Sequence, residues 1–361
     1  MKSPALADYF AKRKIPLLTL SQNLLLPAEF SSFEQEYWAV RRSVGIFDFS
    51  FMSTIEIIGS DAIALLQLIQ NRNCEELAIG KIVYSMLLNE NGDVWLDATV
   101  WRLGPDHFYL ITGYSILPFL RQAARIYSDL HLADIAEQYQ VIAVQGPRSS
   151  DLLESVLEVK AADLPQYFAF NQPSNYPALT IARLGYTGEL GYELLVPRAD
   201  AITLWQQLQT AAIFPALECG FLAANALRIE AGFILFCNEL IEPRTLASLG
   251  RLDGAKKEGN SGGLQEMLVG LHFLPGTKVE VNATNLPPKL AHGIAPHIQV
   301  TSRAFSPQLG YEIGLGFIDQ AAWENGEEGG QIGALVGSPL NSHLGPVYIE
   351  KLPFFASAKG L

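Results

Sequence analysis

The chain has few cysteines, few histidines and no long apolar run. Its 361 residues include three cysteines and six histidines, without the close pairs typical of metal or redox sites. We therefore predict no metal site, and free thiols in a reducing cytoplasm. The longest apolar runs, such as 62–69, are far shorter than a membrane span, and the charged N-terminus does not resemble a signal peptide. The expected location is the cytoplasm.

Basic residues are also scarce. Lys and Arg number 25 against 37 Asp and Glu, which gives a formal net charge of -12. A negative field repels nucleic acid and anionic membranes, so neither is an expected partner. Hydrophobic residues make up 49% of the chain and charged residues 17%, which is typical of a well-packed globular protein.

Hairpins are mixed with strand–helix units over the first 250 residues. Strands are predicted at 53–58, 82–88 and 107–112, and an alternating run at 94–103 follows 82–88 after a strong turn. A strand at 141–145 is followed instead by a helix at 149–157. This mixture predicts an α+β fold rather than a doubly wound sheet.

A polar, glycine-rich stretch near residue 260 marks a boundary, because helical periodicity nearly disappears beyond it. Short β-like runs follow, at 278–281, 298–301 and 313–317, and they favour a C-terminal β-barrel or sandwich. The predicted regions are an α+β region over 1–150, a second α+β region over 151–253, a linker over 254–265 and a β-barrel domain over 266–361.

The segment 183–193 is the most informative part of the sequence. Three glycines recur every third residue from Gly185, which predicts a tight backbone path with positive φ angles. Tyrosines and carboxylates are interleaved with the glycines, among them Tyr186 and Glu193. The pattern suits a loop that stacks on a flat ligand, and it also suits a hairpin turn with surface tyrosines.

A carboxylate lies among aromatic residues in the predicted strand 94–103. Asp97 falls on the same face as Trp95, Thr99 and Trp101, opposite an apolar face. If that face is buried, the charge must be paired or take part in function. If the face is solvated, Asp97 is an ordinary surface acid.

Arg228 lies on a largely apolar predicted helix, 222–231, and therefore needs a partner. Glu230 is two positions further along and does not face it. Arg228 therefore pairs either with a distant carboxylate such as Glu193 or with a bound ligand. The residues by themselves favour neither the structural nor the ligand-binding role.

Three stretches together resemble the glycine-cleavage T-protein superfamily of folate-dependent aminomethyltransferases and demethylases. They are VGIFDFS at 44–50, YTGELGYE at 186–193 and ALRIEAG at 226–232. Supporting pieces, such as VQGP at 144–147 and LPF at 352–354, follow in the family's order over nearly the whole chain. Each stretch alone is a weak signal, and their joint occurrence is specific.

The resemblance implies a cloverleaf of three domains around a central channel that holds tetrahydrofolate. It implies an enzyme that moves a methyl or methylene unit from a small donor to tetrahydrofolate. It also implies that Asp97 is the catalytic residue, which would orient the folate amine and stabilise developing positive charge. The residues that it places around the folate are Glu193 as the pterin anchor, Arg228 at the pterin end, Tyr84 and Tyr186 as aromatic walls, and Trp101 and Thr112.

The sequence also departs from the family pattern. Phe51 stands where T-proteins usually have histidine, and Leu96 precedes Asp97 where they usually have a second aspartate. Trp101 and Thr112 stand where tyrosine and asparagine are common in the family. These changes are compatible with a folate site and leave the identity of the donor open.

Two alternatives share the resemblance. The first is the glycine-cleavage T-protein itself, which docks an acidic lipoyl carrier, the H-protein, through basic surface; a net charge of -12 opposes that docking. The second is a non-catalytic folate-binding factor of iron–sulfur assembly, whose cysteine motif is missing from the loop 185–189. The retention of Asp97 also argues against this factor. The favoured partner is a small one-carbon donor, ahead of the lipoyl carrier.

Overall fold

The computed structural model describes residues 5–20, 24–160, 163–250, 266–273, 298–319, 347–350 and 352–355. These residues form α-helices and strands that are arranged in three main sheets and one small hairpin. The helices are α1 (Ala5–Lys12), α2 (Phe33–Arg42), α3 (Ala62–Ile69), α4 (Leu117–Ala123), α5 (Ser149–Leu157), α6 (Ala201–Gln209) and α7 (Phe221–Glu230). The strands are β1 (Leu17–Thr19), β2 (Leu25–Pro27), β3 (Gly45–Asp48), β4 (Ser53–Ile58), β5 (Ile82–Leu88), β6 (Val94–Gly104), β7 (His107–Thr112), β8 (His131–Asp134), β9 (Tyr139–Gln145), β10 (Phe170–Asn171), β11 (Thr180–Ala182), β12 (Gly191–Pro197), β13 (Leu217–Glu218), β14 (Glu266–Phe273), β15 (Ile298–Ser306), β16 (Tyr311–Asp319) and β17 (Val347–Glu350).

The largest sheet has six strands in the order β10-β11-β12-β9-β3-β13. Its neighbours are antiparallel except β13, which pairs in parallel with β3. Helices α1, α5 and α6 cover one face, on which Leu194 is fully buried, and α2 and α7 contribute to the core on the other face, together with Leu195. Because strand side chains alternate, Glu193 lies on the same face as Leu195.

The second sheet has five antiparallel strands in the order β5-β6-β7-β4-β8. Strands β4, β5 and β7 have the predicted bounds. On β6, Leu96 and Val100 are buried in the core that α3 covers, whereas Asp97 and Thr99 lie on the opposite face. The predicted division of faces is therefore confirmed for residues 96–100. It is wrong at the start of the strand, where the register shifts: Val94 packs with Met86, and Trp95 packs against the core that α3 covers.

The five-stranded sheet is inserted, in chain order, between β3 and β9 of the six-stranded sheet. The six-stranded sheet consequently takes strands from both of the predicted regions 1–150 and 151–253. The two sheets meet in a small apolar cluster, which includes Ile82, Trp101 and Leu184. The described helices and mainly antiparallel sheets agree with the predicted α+β class, and the contact between the sheets positions the site.

The third sheet is C-terminal and has four antiparallel strands in the order β15-β16-β14-β17. Helix α7 packs against β15 and β16, so this sheet is attached to the rest of the chain through α7. The predicted runs 298–301 and 313–317 fall within β15 and β16. The predicted run 278–281 and the linker 254–265 lie outside the described residues. The described strands do not close into a barrel, and the barrel stays a prediction.

Candidate active site

Asp97 lies in the middle of β6 and is hydrogen-bonded to Tyr84 on the neighbouring strand β5. The Tyr84 hydroxyl donates to Asp97 Oδ2 over 2.9 Å. Tyr84 is paired with Thr99, which places its ring on the same face as Asp97 and one step along the sheet. Both side chains are half-buried. A hydroxyl donor at this distance stabilises the ionised carboxylate and fixes its orientation.

Asp97 and Glu193 lie on the two sheet faces that meet. Asp97 shares its face of β6 with Trp101, and Trp101 packs with Ala182 and Leu184 of the six-stranded sheet. Ala182 on β11 is paired with Glu193 on β12, so these two side chains share a face as well. Each carboxylate therefore lies on a sheet face that also carries a member of this apolar cluster.

Tyr186 is close to both Asp97 and Arg228. Its hydroxyl donates to the carbonyl of Ile234, and its ring stacks on Phe233 with centroids 6.1 Å apart. Burial raises the pKa of Tyr186 well above its usual value; the Arg228 charge opposes this shift and the Asp97 charge adds to it. Tyr186 consequently stays a neutral hydroxyl. Its role as an aromatic wall of the folate site stays a prediction.

Arg228 is fully buried and forms an ion pair with Glu239, with 2.9 Å between Nη1 and Oε2. Its guanidinium also donates to the Asn225 amide oxygen and to the hydroxyl of Ser302 on β15. The sequence offered Glu193 as an example of a partner, and the partner observed here is Glu239, because the chain after α7 folds back and brings this carboxylate to the arginine. Arg228 therefore has the structural role that the sequence left open.

Trp101 and Thr112 belong to the interior packing of the sheets. Trp101 is 1% exposed, stacks on Phe170, and donates its indole N–H to the hydroxyl of Thr99 over 2.9 Å. Thr112 is 2% exposed and donates its hydroxyl to the carbonyl of Tyr114 over 2.7 Å. Because both donors are used inside the protein, the predicted folate contacts of these two residues stay predictions.

The glycines of the loop between β11 and β12 differ from the prediction. Only Gly188 has a positive φ, of 78°, whereas Gly185 and Gly191 do not. An added Cβ at either of these two positions would collide with the side-chain amide of Gln145. Close approach of a neighbouring side chain, and not a left-handed backbone, explains why glycine occurs there.

Comparison with known proteins decides the family. The family model of the GCVT N-terminal domain matches residues 7–251. The chain belongs to this family. An aminomethyltransferase of Streptomyces avermitilis is 32% identical over 361 residues, covering 92% of each chain. An aminomethyltransferase of Thermus thermophilus is 32% identical over 304 residues, covering 82% of this chain and 86% of the relative.

The fold agrees with that of a solved family member. The glycine cleavage system aminomethyltransferase T from Bartonella henselae superposes with a TM-score of 0.76, covering 99% of this chain and 98% of the other, at 20% identity. The predicted superfamily and the α+β fold class are therefore confirmed. The predicted enzyme class is confirmed as well: an aminomethyltransferase-like, folate-dependent transferase.

Neither a membrane-spanning helix nor a metal cluster occurs in the described part of the chain. No described helix is long and apolar enough to cross a bilayer. The same residues hold no group of three or more His, Cys, Asp or Glu side chains arranged for a metal ion.

Sequence reasoning missed two buried polar residues that organise this site, Glu239 and Gln145. Glu239 follows the apolar run 233–237, and an acid beside such a run could have been recognised as the partner that a buried arginine needs. Gln145 belongs to the family-like stretch VQGP at 144–147, but an uncharged side chain at the end of an apolar strand does not indicate which loop it contacts.

Proposed function

We propose that this GCVT-family protein transfers a one-carbon unit from an aminomethyl or methyl donor to tetrahydrofolate between the five-stranded and six-stranded sheets. In this proposal Asp97 is the catalytic residue and Glu193 anchors the pterin. The observation that carries the proposal is that Asp97, hydrogen-bonded to Tyr84, and Glu193 lie on faces of two sheets that share an apolar cluster. Family membership supplies the reaction class.

The side chains around this space suit a reduced folate. A pterin has a flat ring with an amino group and ring N–H donors on one edge, and a carboxylate such as Glu193 accepts two of these donors together. The aromatic rings of Tyr186 and Phe233 are stacked with an interplanar angle of 26°, which suits packing beside a flat ring. Bound tetrahydrofolate would supply the nucleophilic nitrogens that accept the carbon unit.

Asp97 has two tasks in the proposed reaction. Its carboxylate is held by the Tyr84 hydroxyl and accepts a hydrogen bond from an N–H group of the folate, which orients that nitrogen. It also places a negative charge beside the carbon unit, where positive charge develops during transfer. Because both side chains are half-buried, bound ligand would exclude water and strengthen this interaction.

The described sheets support the proposed three-domain arrangement around a central channel. Regions 1–150 and 151–253 would build the folate site together, and region 266–361 would close it as the C-terminal barrel domain. Helix α7 connects these parts: Arg228 donates to Ser302, and Glu230 accepts from the hydroxyl of Ser306. Both serines lie on β15, so α7 is held to the C-terminal sheet by buried polar contacts.

Two classes of one-carbon donor are compatible with the proposal, and the net charge of the chain discriminates between them. A lipoyl carrier of acidic character would meet a chain with a net charge of -12, which slows association unless a local basic surface exists. A small amine, ether or thioether donor avoids this repulsion. We therefore place the small donor first and the aminomethyl-lipoyl H-protein second.

The test is identification of the folate product. The protein is incubated with tetrahydrofolate and either small methylated amines, ethers and thioethers or aminomethyl-lipoyl H-protein, and the folate is analysed by mass. Methyl-tetrahydrofolate or methylene-tetrahydrofolate from a small donor supports the first choice, and product from the H-protein alone supports the second. Absence of product with every donor, despite folate binding, would favour a non-catalytic folate-binding factor.

Asp97→Asn isolates the catalytic role within the same assay. It keeps the shape of the side chain and removes the charge, so turnover should fall by about 100-fold or more while tetrahydrofolate binding is largely kept. Asp106→Asn is the matched control, because Asp106 is an exposed acid in the next turn of the same sheet. Unchanged turnover in Asp97→Asn would remove Asp97 from the mechanism.

A further inference from the structure

Gln145 lies at the end of β9, and its side chain is fully buried. Its amide contacts the loop 184–192 at three places. Oε1 accepts a hydrogen bond from the Thr187 hydroxyl over 2.9 Å. Nε2 donates to the carbonyls of Leu184 and Tyr192, each over 3.4 Å. One side chain therefore connects both ends of the loop with its middle.

Two glycines leave the room that this amide occupies. A Cβ added at Gly185 would lie 2.2 Å from Gln145 Oε1, and a Cβ added at Gly191 would lie 2.4 Å from Nε2. Contacts this short essentially never occur for real Cβ atoms. The loop and Gln145 are therefore complementary in shape as well as in hydrogen bonding.

The loop is also held by contacts that do not involve the Gln145 side chain. Arg41 on α2 forms an ion pair with Glu189, with 2.6 Å between Nη1 and Oε1, and the two side chains are only 11% and 17% exposed. The backbone N–H of Gly146, next to Gln145, also donates to the carbonyl of Leu190 over 2.7 Å. The loop is thus bonded both to α2 and to the end of β9.

The residues fixed by Gln145 are direct chain neighbours of the proposed ligand-binding residues. Tyr186 stands between Gly185 and Thr187, and Glu193 follows Tyr192. A buried amide whose hydrogen bonds are all made within one loop restricts the conformations of that loop. A loop that is already ordered costs less entropy when a ligand binds to it.

We propose that Gln145 is a positioning residue for folate binding, which holds Tyr186 and Glu193 in their binding geometry by filling the space beside Gly185 and Gly191. This inference rests on the proposed function, since it assigns the purpose of the ordered loop to tetrahydrofolate. It concerns a residue that touches the loop and not the ligand, so its effect is on affinity more than on the chemical step.

The first experiment measures tetrahydrofolate affinity by titration calorimetry in Gln145→Ala, together with its thermal midpoint. The dissociation constant should rise about tenfold or more, and KM for tetrahydrofolate should rise in proportion while kcat falls by a smaller factor. Gln140→Ala is the matched control, because Gln140 is also buried on β9 and donates to the carbonyl of Tyr139. A dissociation constant within about twofold of wild type in folded Gln145→Ala, or an equal loss in the control, overturns the proposal.

The second experiment uses the complementarity of shape. Gly185→Ala alone should weaken tetrahydrofolate binding, because its Cβ would meet Gln145 Oε1. In the Gln145→Ala background the same substitution should add little further loss, because the space is then empty. Gly104→Ala is the control, since a Cβ there would meet only the Cβ of His107 at 3.4 Å. Additive losses in the double variant would overturn the shape argument.

The third experiment separates this inference from the proposed function. Hydrogen exchange of residues 184–193 is compared between wild type and Gln145→Ala without any ligand. Faster exchange confined to this loop supports positioning by Gln145, and unchanged exchange overturns it. If the wild-type protein itself does not bind tetrahydrofolate, the proposed function fails, and the exchange experiment still decides whether Gln145 orders the loop.

Discussion

The hydroxyl of Tyr84 donates to the carboxylate of Asp97 over 2.9 Å, from one strand of the five-stranded sheet to the next. This contact gives Tyr84 a polar role in addition to the aromatic-wall role that the family resemblance implies. It gives the catalytic candidate one fixed donor before any ligand binds, and it orients one carboxylate oxygen. Because this hydrogen bond fixes the plane of the carboxylate, it also fixes the direction of the second oxygen, Oδ1.

Tyr84→Phe should therefore slow turnover without unfolding the protein. A hydrogen bond to a charged group contributes about 1.5–3 kcal/mol, so kcat should fall by roughly 10-fold to 100-fold. The measurement is steady-state turnover with saturating tetrahydrofolate. Tyr176→Phe is the control, because Tyr176 is 40% exposed. Full activity in Tyr84→Phe would show that the contact does not serve catalysis.

Glu193→Ala should weaken tetrahydrofolate binding by about 2–3 kcal/mol, because a charge-assisted pair with the pterin is lost. That free energy corresponds to a dissociation constant raised by roughly 30-fold to 150-fold, which titration calorimetry resolves. Glu90→Ala, at an exposed turn, controls for the loss of a negative charge. An unchanged dissociation constant would refute the anchor assignment.

Glu239→Gln should destabilise the fold, because it leaves the buried Arg228 guanidinium without its counter-charge. Breaking one partner of a buried ion pair costs about 3–5 kcal/mol, measured here as the free energy of unfolding in urea. Glu242→Gln is the control: Glu242 is 51% exposed and lies 3.8 Å from Arg244. Equal stabilities of the two variants would contradict the buried-pair argument.

Asp48, in the VGIFDFS stretch, should make stability depend on pH in an unusual direction. Burial raises the pKa of its carboxyl to about 6, although hydrogen bonds from Ser50 oppose the shift. Between the ordinary pKa and about 6 the folded state holds a proton that the unfolded state has released, so the contribution of Asp48 to stability falls as pH rises through this window. Above a pH of about 6 that contribution is constant.

The check is the thermal midpoint of Asp48→Asn relative to wild type, measured at intervals from about pH 4 to about pH 7. Asparagine does not titrate, so the variant should gain on wild type as pH rises to about 6 and should then keep a constant difference. Asp106→Asn, at an exposed position, should show no such trend. A difference that shrinks with rising pH would mean that the carboxylate is stabilised and not penalised by its surroundings.

Several elements could be predicted because their pattern is local. The strands 53–58, 82–88 and 107–112 have the predicted bounds, because each is a short run rich in β-branched, aromatic or other apolar residues between clear turns. The placement of Asp97 opposite an apolar face followed from the alternation of residues along 94–103. No local pattern predicted the N-terminal helices α1 and α2, or the bounds of the strand β14 within the predicted C-terminal β domain.

Partners that are distant in sequence could not be predicted. Arg228 pairs with Glu239, because the path of the chain after α7 brings this carboxylate to the buried guanidinium. Gln145 meets a loop about 40 residues further along the chain, since Thr187 lies 42 positions from it. No periodic pattern carries that information.

The amino-acid sequence by itself determined the reaction family, the α+β class and the candidate acids, because motifs and strand alternation depend only on residues that are close together in the chain. Only the tertiary structure decided that Asp97 and Glu193 lie on faces of two sheets that share an apolar cluster, and that glycines 185 and 191 make room for a glutamine. The physical reason is that pairing of strands, burial of charge and steric fit depend on residues brought together by folding, and their sequence separation leaves no local signal.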